Sequence, residues 1–190
     1  MGVKGENARA KIIECAHGLF SRKGYCAVTM QDISEASGFS RGGLYRHFAS
    51  TEEIFLEIIR LEQASAFAQL ERALADQVRP DQILRVFLRS RMNTLSKPSH
   101  SFDVAVSEFA ANSEKGREAL AKRAKDSVRI LTSLIDSGNK AGVFSCSHPE
   151  TIAMHILWLM EGMSRHAGLI PITEAQIDAQ ITQIELLLQK

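Results

Sequence analysis

Residues 29–48 constrain this chain more than any other stretch. They read Thr-Met-Gln-Asp-Ile-Ser-Glu-Ala-Ser-Gly-Phe-Ser-Arg-Gly-Gly-Leu-Tyr-Arg-His-Phe. Thr29 can cap a helix, with Asp32 three residues on as its capping-box partner. Ile33 and Ala36 give that helix one apolar edge. Gly38 stands where a left-handed C-terminal turn is wanted. Ser40 can then cap a second short helix running through Arg41 to His47, with Leu44 and Phe48 on its inner side. Cations and hydroxyls are left outward. Two short helices fixed at a tight turn, with that outward chemistry, are the geometry of a helix-turn-helix in the DNA major groove.

The remainder also reads as helix. Long alternating apolar runs are absent and aromatic residues make up only 6%. Helical periodicity runs throughout. The spacing predicts nine helices and an all-α protein. Helix 1 spans roughly 7–23, and helices 2 and 3 form the turn motif. Ser50 and Glu53 make a capping box that opens a long helix 4, which ends near Val78. Pro80 starts helix 5, which ends before Pro98. Helix 6 covers roughly 100–112 and helix 7 roughly 114–138. Ser147 to Glu150 opens helix 8, with Pro149 in its first turn. Thr173 and Gln176 open helix 9. The expected division is a helix-turn-helix DNA-binding domain at 1–50 and a helical effector-binding and dimerisation domain at 51–190.

Charge supports that division. Seven Lys/Arg stand against four Asp/Glu in residues 1–50, although the whole chain carries only +1. The positive end is the end with the turn motif, as a polyanion requires. Apolar content of 45% and charged content of 24% are those of an ordinary globular protein. The longest nearly apolar run, residues 152–163, is about half a membrane span. Cys15, Cys26 and Cys146 form no C-x-x-C pair, which predicts reduced thiols, buried as small hydrophobes in a cytoplasmic protein. No metal or cofactor is expected. Nor is catalysis, since the chain lacks a phosphate loop, an H-E-x-x-H, a dinucleotide fingerprint and a nucleophile elbow.

The motif extends beyond the turn. Ile12 through Gly24, then Thr29, Asp32-Ile33, Ala36, Gly38, Ser40, Gly42, Leu44-Tyr45, His47-Phe48 and Glu52-Glu53, resemble the DNA-binding domain of the TetR family (tetracycline-repressor-like) of transcriptional regulators. Gly138 to Phe144 resembles a turn common after that family's seventh helix. The resemblance implies the TetR-like architecture: a three-helix head on a helical ligand-binding body. It implies a homodimeric repressor in the cytoplasm, nucleoid-associated while bound to a double-stranded palindromic operator. A small apolar or amphipathic effector would release it. The alternatives are a DNA-binding protein of the same fold with no small-molecule effector, and a helical enzyme or adaptor that merely contains a helix-turn-helix.

The expected DNA contacts are Thr29, Ser40, Arg41, Gly42, Gly43, Tyr45, Arg46, His47 and Thr51. Arg41 suits guanine N7 and O6. Gly42 and Gly43 allow close backbone approach, and Tyr45, Arg46 and His47 resemble phosphate contacts. Thr51 stands where the family usually carries Lys. Lys4, Arg9 and Lys11 are candidates for flanking phosphate.

Candidate pocket residues, by resemblance, are Met92, Phe102, Val106, Phe109, Met154 and Trp158. Asn93, His100, His155 and His166 are candidate polar contacts, and Arg85, Arg89 and Arg91 a candidate acidic-effector site or a solvated face. Helix 8 is apolar all round, which calls for burial on every side. Ile177, Ile181, Ile184 and Leu188 on helix 9 are spaced as a packing seam. The expected dimer interface is therefore Ile152, Ile156, Leu159 and Met163 on helix 8 with those four on helix 9.

Overall fold

The computed structural model describes residues 3–96, 102–166 and 169–189. Among the described residues there are nine helices and no strand. They are α1 (Val3–Lys23), α2 (Met30–Ser37), α3 (Arg41–Tyr45), α4 (Thr51–Ala75), α5 (Pro80–Leu95), α6 (Phe102–Asn112), α7 (Glu114–Lys140), α8 (Pro149–His166) and α9 (Glu174–Leu187).

The helix ends follow local chemistry. Thr29 caps α2 by accepting from the Asp32 amide, and the Asp32 side chain accepts from the Thr29 amide in return. Gly38 ends α2 at φ 74°, donating its N–H to the Ser34 carbonyl. Thr173 and Gln176 cap α9 by the same reciprocal device as α2. Pro80 and Pro149 begin α5 and α8, where a missing N–H costs nothing. After α7, Val143 and Phe144 donate back to the Gly138 carbonyl, and the Asn139 side chain brackets Cys146 through both its N–H and C=O.

The described residues among Met1–Gln63 and His100–Ala121 form one compact unit, and those among Ala64–Ser99 and Lys122–Lys190 form another. The first has a core of Ile12, Phe20, Ile33, Leu44, Phe48, Phe55 and Phe109 with their neighbours. Phe20, Tyr25, Phe55 and Phe109 meet there in edge and stacked contacts, with ring centroids 4.6–5.9 Å apart. The second unit packs Leu84, Leu88 and Met92 of α5 with Leu131, Leu134 and Ile135 of α7, Ile156 of α8 and Ile181 of α9. No helix among the described residues is long and apolar enough to cross a membrane.

Candidate nucleic-acid interface

Leu44 and Phe48 are fully buried and fix α3 to the first core. Burying a side chain of that size contributes about 1.5–3 kcal/mol. With the inner side so held, the outer side is determined. Arg41, Gly42, Tyr45 and Arg46 are exposed, and Gly43 and His47 are half-buried. Ser40 caps α3 by accepting from the Gly43 amide at 3.2 Å. A Cβ on Gly42 would meet nothing within 4 Å, so its surface is open to close approach.

Two supports escaped the sequence reading. Gln31 of α2 accepts a hydrogen bond from Arg41 Nη2 at 2.7 Å and donates to Glu35 at 3.0 Å. The base-reading candidate is therefore steered from the neighbouring helix. Only the folded crossing of α2 and α3 brings positions 31 and 41 together. Arg9 is the second. It donates to the His47 carbonyl at 3.0 Å, pairs with Glu57 at 3.4 Å, and lies 4.1 Å from the Phe48 ring centroid. It ties the end of α3 to α1 and α4. Lys11 sits 5.9 Å from the Phe39 ring centroid. The side chain of Lys4 lies outside the described residues.

At the start of α2, Lys23 Nζ reaches Asp32 at 2.8 Å. That hydrogen bond, followed by those from the Thr29 hydroxyl and amide, holds the Asp32 carboxyl far below the usual carboxylate range. Ser50 accepts from the Glu53 amide at 3.1 Å, which is half of the expected box at α4; the Glu53 carboxylate accepts from the Ala49 amide at 2.7 Å, one residue before the cap, rather than from Ser50. Thr51, half-buried in the first turn of α4, interacts with the Tyr25 phenol, whose pKa burial pushes up.

Of the six expected pocket residues, three belong to the first unit and three to the second. Phe102, Val106 and Phe109 fill the core of the first unit. Met92 belongs to the core of the second. Met154 lines a groove of about 430 Å³ between α7 and α8, with Val128, Leu157, Lys125 and Arg129. Trp158 is 62% exposed. Arg85 and Arg89 are paired to Glu185 and Asp178 of α9, so they form ties between helices. His100 lies outside the described residues. His155 and His166 are exposed, while the buried Oδ1 of Asn93 has no hydrogen-bond partner among the described residues.

Six of the eight residues expected at a dimer interface are buried within the single chain. Ile156, Met163, Ile177, Ile181, Ile184 and Leu188 are buried in the chain's own core, because the seam of α9 packs on α5 and α8. Ile152 and Leu159 are half-buried against the same core. Apolar surface is instead left on Trp158, Leu169, Ile170, Leu186 and Leu187. Of the cysteines only Cys146 is buried; Cys15 is half-buried and Cys26 exposed. Among the described residues no group of acidic, His or Cys side chains could hold a metal ion.

A capped pair of short helices, crossed on an apolar core and presenting Arg41, Tyr45 and Arg46, defines a helix-turn-helix DNA-binding head. Comparison with known proteins agrees. Residues 12–58 match the model of bacterial regulatory proteins of the tetR family, and residues 77–165 match the tetracyclin repressor-like C-terminal domain. The HTH-type transcriptional regulator YfiR of Bacillus subtilis is 32% identical over 169 residues, covering 85% of this chain and 80% of YfiR. The transcriptional repressor AcnR of Corynebacterium glutamicum is 36% identical over 80 residues, 41% of this chain and 42% of AcnR. The fold is also that of reduced Escherichia coli NemR, with a TM-score of 0.81 at 16% identity over 96% of this chain and 98% of that one. The chain belongs to the tetR family of DNA-binding transcriptional regulators, which are not enzymes.

Proposed function

We propose that the chain is a homodimeric repressor whose two heads read a palindromic operator and release it when a small apolar or amphipathic effector binds. Operator binding and dimer formation are properties of the family, and ligand-responsive repression is typical of it. The observation that carries the reading is the outward set on α3: Arg41 steered by Gln31, with Tyr45 and Arg46 exposed beside it. In this reading Arg41 reads a base edge, and Thr29, Ser40, Tyr45, Arg46, His47 and Thr51 hold phosphates, with the backbone of Gly42 and Gly43 close to the groove. Residues 1–50 do the reading, and residues 51–190 take the effector and the partner chain.

The second subunit would cover the exposed apolar side chains of α8, α9 and the segment between them, with Trp158, Leu186 and Leu187 as anchors. The unpartnered Asn93 Oδ1 supports an effector with a hydrogen-bond donor, because a buried acceptor left unpaired costs about 1–3 kcal/mol. An effector releases DNA only by its differential affinity for the two states.

Selection of duplexes from a random-sequence pool by the purified chain tests the assignment. A palindromic consensus with half-sites about one helical turn apart is expected. Recovery of no consensus contradicts it.

A further inference from the structure

Glu108 of α6 stands apart from the DNA-facing residues, yet it fixes the turn between α1 and α2. Gly24 ends that stretch of α1 in the left-handed region, at φ 78°. The next two amides, of Tyr25 and Cys26, both donate to Glu108 Oε2, at 2.7 and 3.3 Å. Successive N–H groups beside a left-handed residue form a concavity for an anion. Here the anion comes from the chain's own α6. The fit is so close that a Cβ on Gly24 would lie 2.5 Å from the carboxylate. Asn112, one turn along α6, donates to the Glu108 carbonyl at 2.8 Å and to Cys26 Sγ at 3.4 Å. The ring of Tyr25 is gripped at the same time by Phe20, Phe55 and Phe109.

This turn runs directly into Thr29, the cap of α2. Helix α2 carries Gln31, and Gln31 holds Arg41. The direction of the base-reading arginine thus depends on a turn anchored by one carboxylate. A charge-assisted pair of hydrogen bonds suits that task, because it is stronger than neutral bonds and fixes direction.

We propose that Glu108 is a positioning residue for operator binding: its carboxylate, seated on the Tyr25 and Cys26 amides, sets the placement of α2 and Arg41 without touching DNA. A residue acting only as structural glue would weaken every kind of DNA binding in step with stability. A positioning residue acts unevenly. Attraction to phosphate survives a small tilt of the head, whereas bidentate base contacts do not.

The test uses the full-length chain with Glu108→Ala and Glu108→Gln. Affinity is measured for the duplex the unaltered chain selects from a random pool and for a scrambled duplex of equal length. Amide exchange at Tyr25 and Cys26 is followed without DNA, so it reads the clamp independently of the repressor assignment. Glu108→Ala should lose roughly tenfold or more in affinity for the selected duplex, the scale of losing hydrogen bonds to a charged group. Binding to the scrambled duplex should change about twofold or less, and the two amides should exchange faster. Glu108→Gln keeps an acceptor oxygen in place and should recover part of both effects; it carries the test if Glu108→Ala does not fold. Undiminished affinity for the selected duplex in Glu108→Ala would overturn the proposal. So would equal losses on both duplexes, whether or not Tyr25 and Cys26 exchange faster.

Discussion

At the scale of single residues, the head is a set of short polar ties around side chains that face outward. Arg41→Ala should cost about 1–3 kcal/mol in operator binding and relax base preference at one position per half-site. Gln31→Ala should give a weaker version of the same phenotype, since it leaves the guanidinium but removes its support. Unchanged preference in both variants would contradict the assignment. Arg46→Ala should weaken selected and scrambled duplexes alike and flatten the dependence on salt. Asp32 offers a pH test. Its pKa in the folded chain lies well below the ordinary value of 3.8, first because of Lys23 and then because of Thr29. Its contribution to stability is therefore complete above that ordinary value and is lost as pH falls through the depressed one. Titration of the Asp32 carboxyl followed by NMR should show it ionised where a free aspartate is protonated, and Lys23→Ala should move it upward. An ordinary titration in the unaltered chain would contradict the clamp at the start of α2. The individual caps were legible in the sequence because a cap is a local pattern of three or four residues. The Arg9–His47 tie, at a separation of 38 residues, was not, because nothing local encodes it.

At the scale of helices, periodicity located the elements but not the partner each face meets. The seam of Ile177, Ile181, Ile184 and Leu188 is real, and it packs within its own chain. A seam written in sequence does not say whether the opposing helix lies in the same molecule. Ile181→Ala should therefore lower the stability of the subunit itself by about 2–4 kcal/mol, as truncation of a buried isoleucine does. Denaturant unfolding reads this directly, and an unchanged midpoint would contradict the packing. A charge at Trp158 or Leu187 should behave differently, because both are exposed in the chain alone. Trp158→Glu should dissociate the dimer and leave helical content intact. Retention of the dimer would move the interface elsewhere. The all-round apolar character of α8 is resolved in the same way. Ala153, Ile156, Met160 and Met163 face inward, while Trp158 is left outside.

At the scale of the whole molecule, the fold class and the head were readable, and the identity of an effector was not. Head residues carry constrained roles at fixed spacing: a cap, a left-handed glycine, an inward Leu44 and Phe48. The residues expected around an effector rest on the resemblance and on apolar character, and apolar side chains serve equally as core. Phe102, Val106 and Phe109 serve as core here. The functional reading still rests on a molecule of two identical chains. Light scattering should return twice the 21.0 kDa chain mass at micromolar concentration. The most direct measurement of the central claim is binding of this dimer to the palindromic duplex it selects, with the stoichiometry recorded. Two chains per duplex are expected, with preference lost symmetrically at one base position in each half-site when Arg41 is replaced by Ala. Binding by a single chain, or equal affinity for selected and scrambled duplexes, would contradict the account.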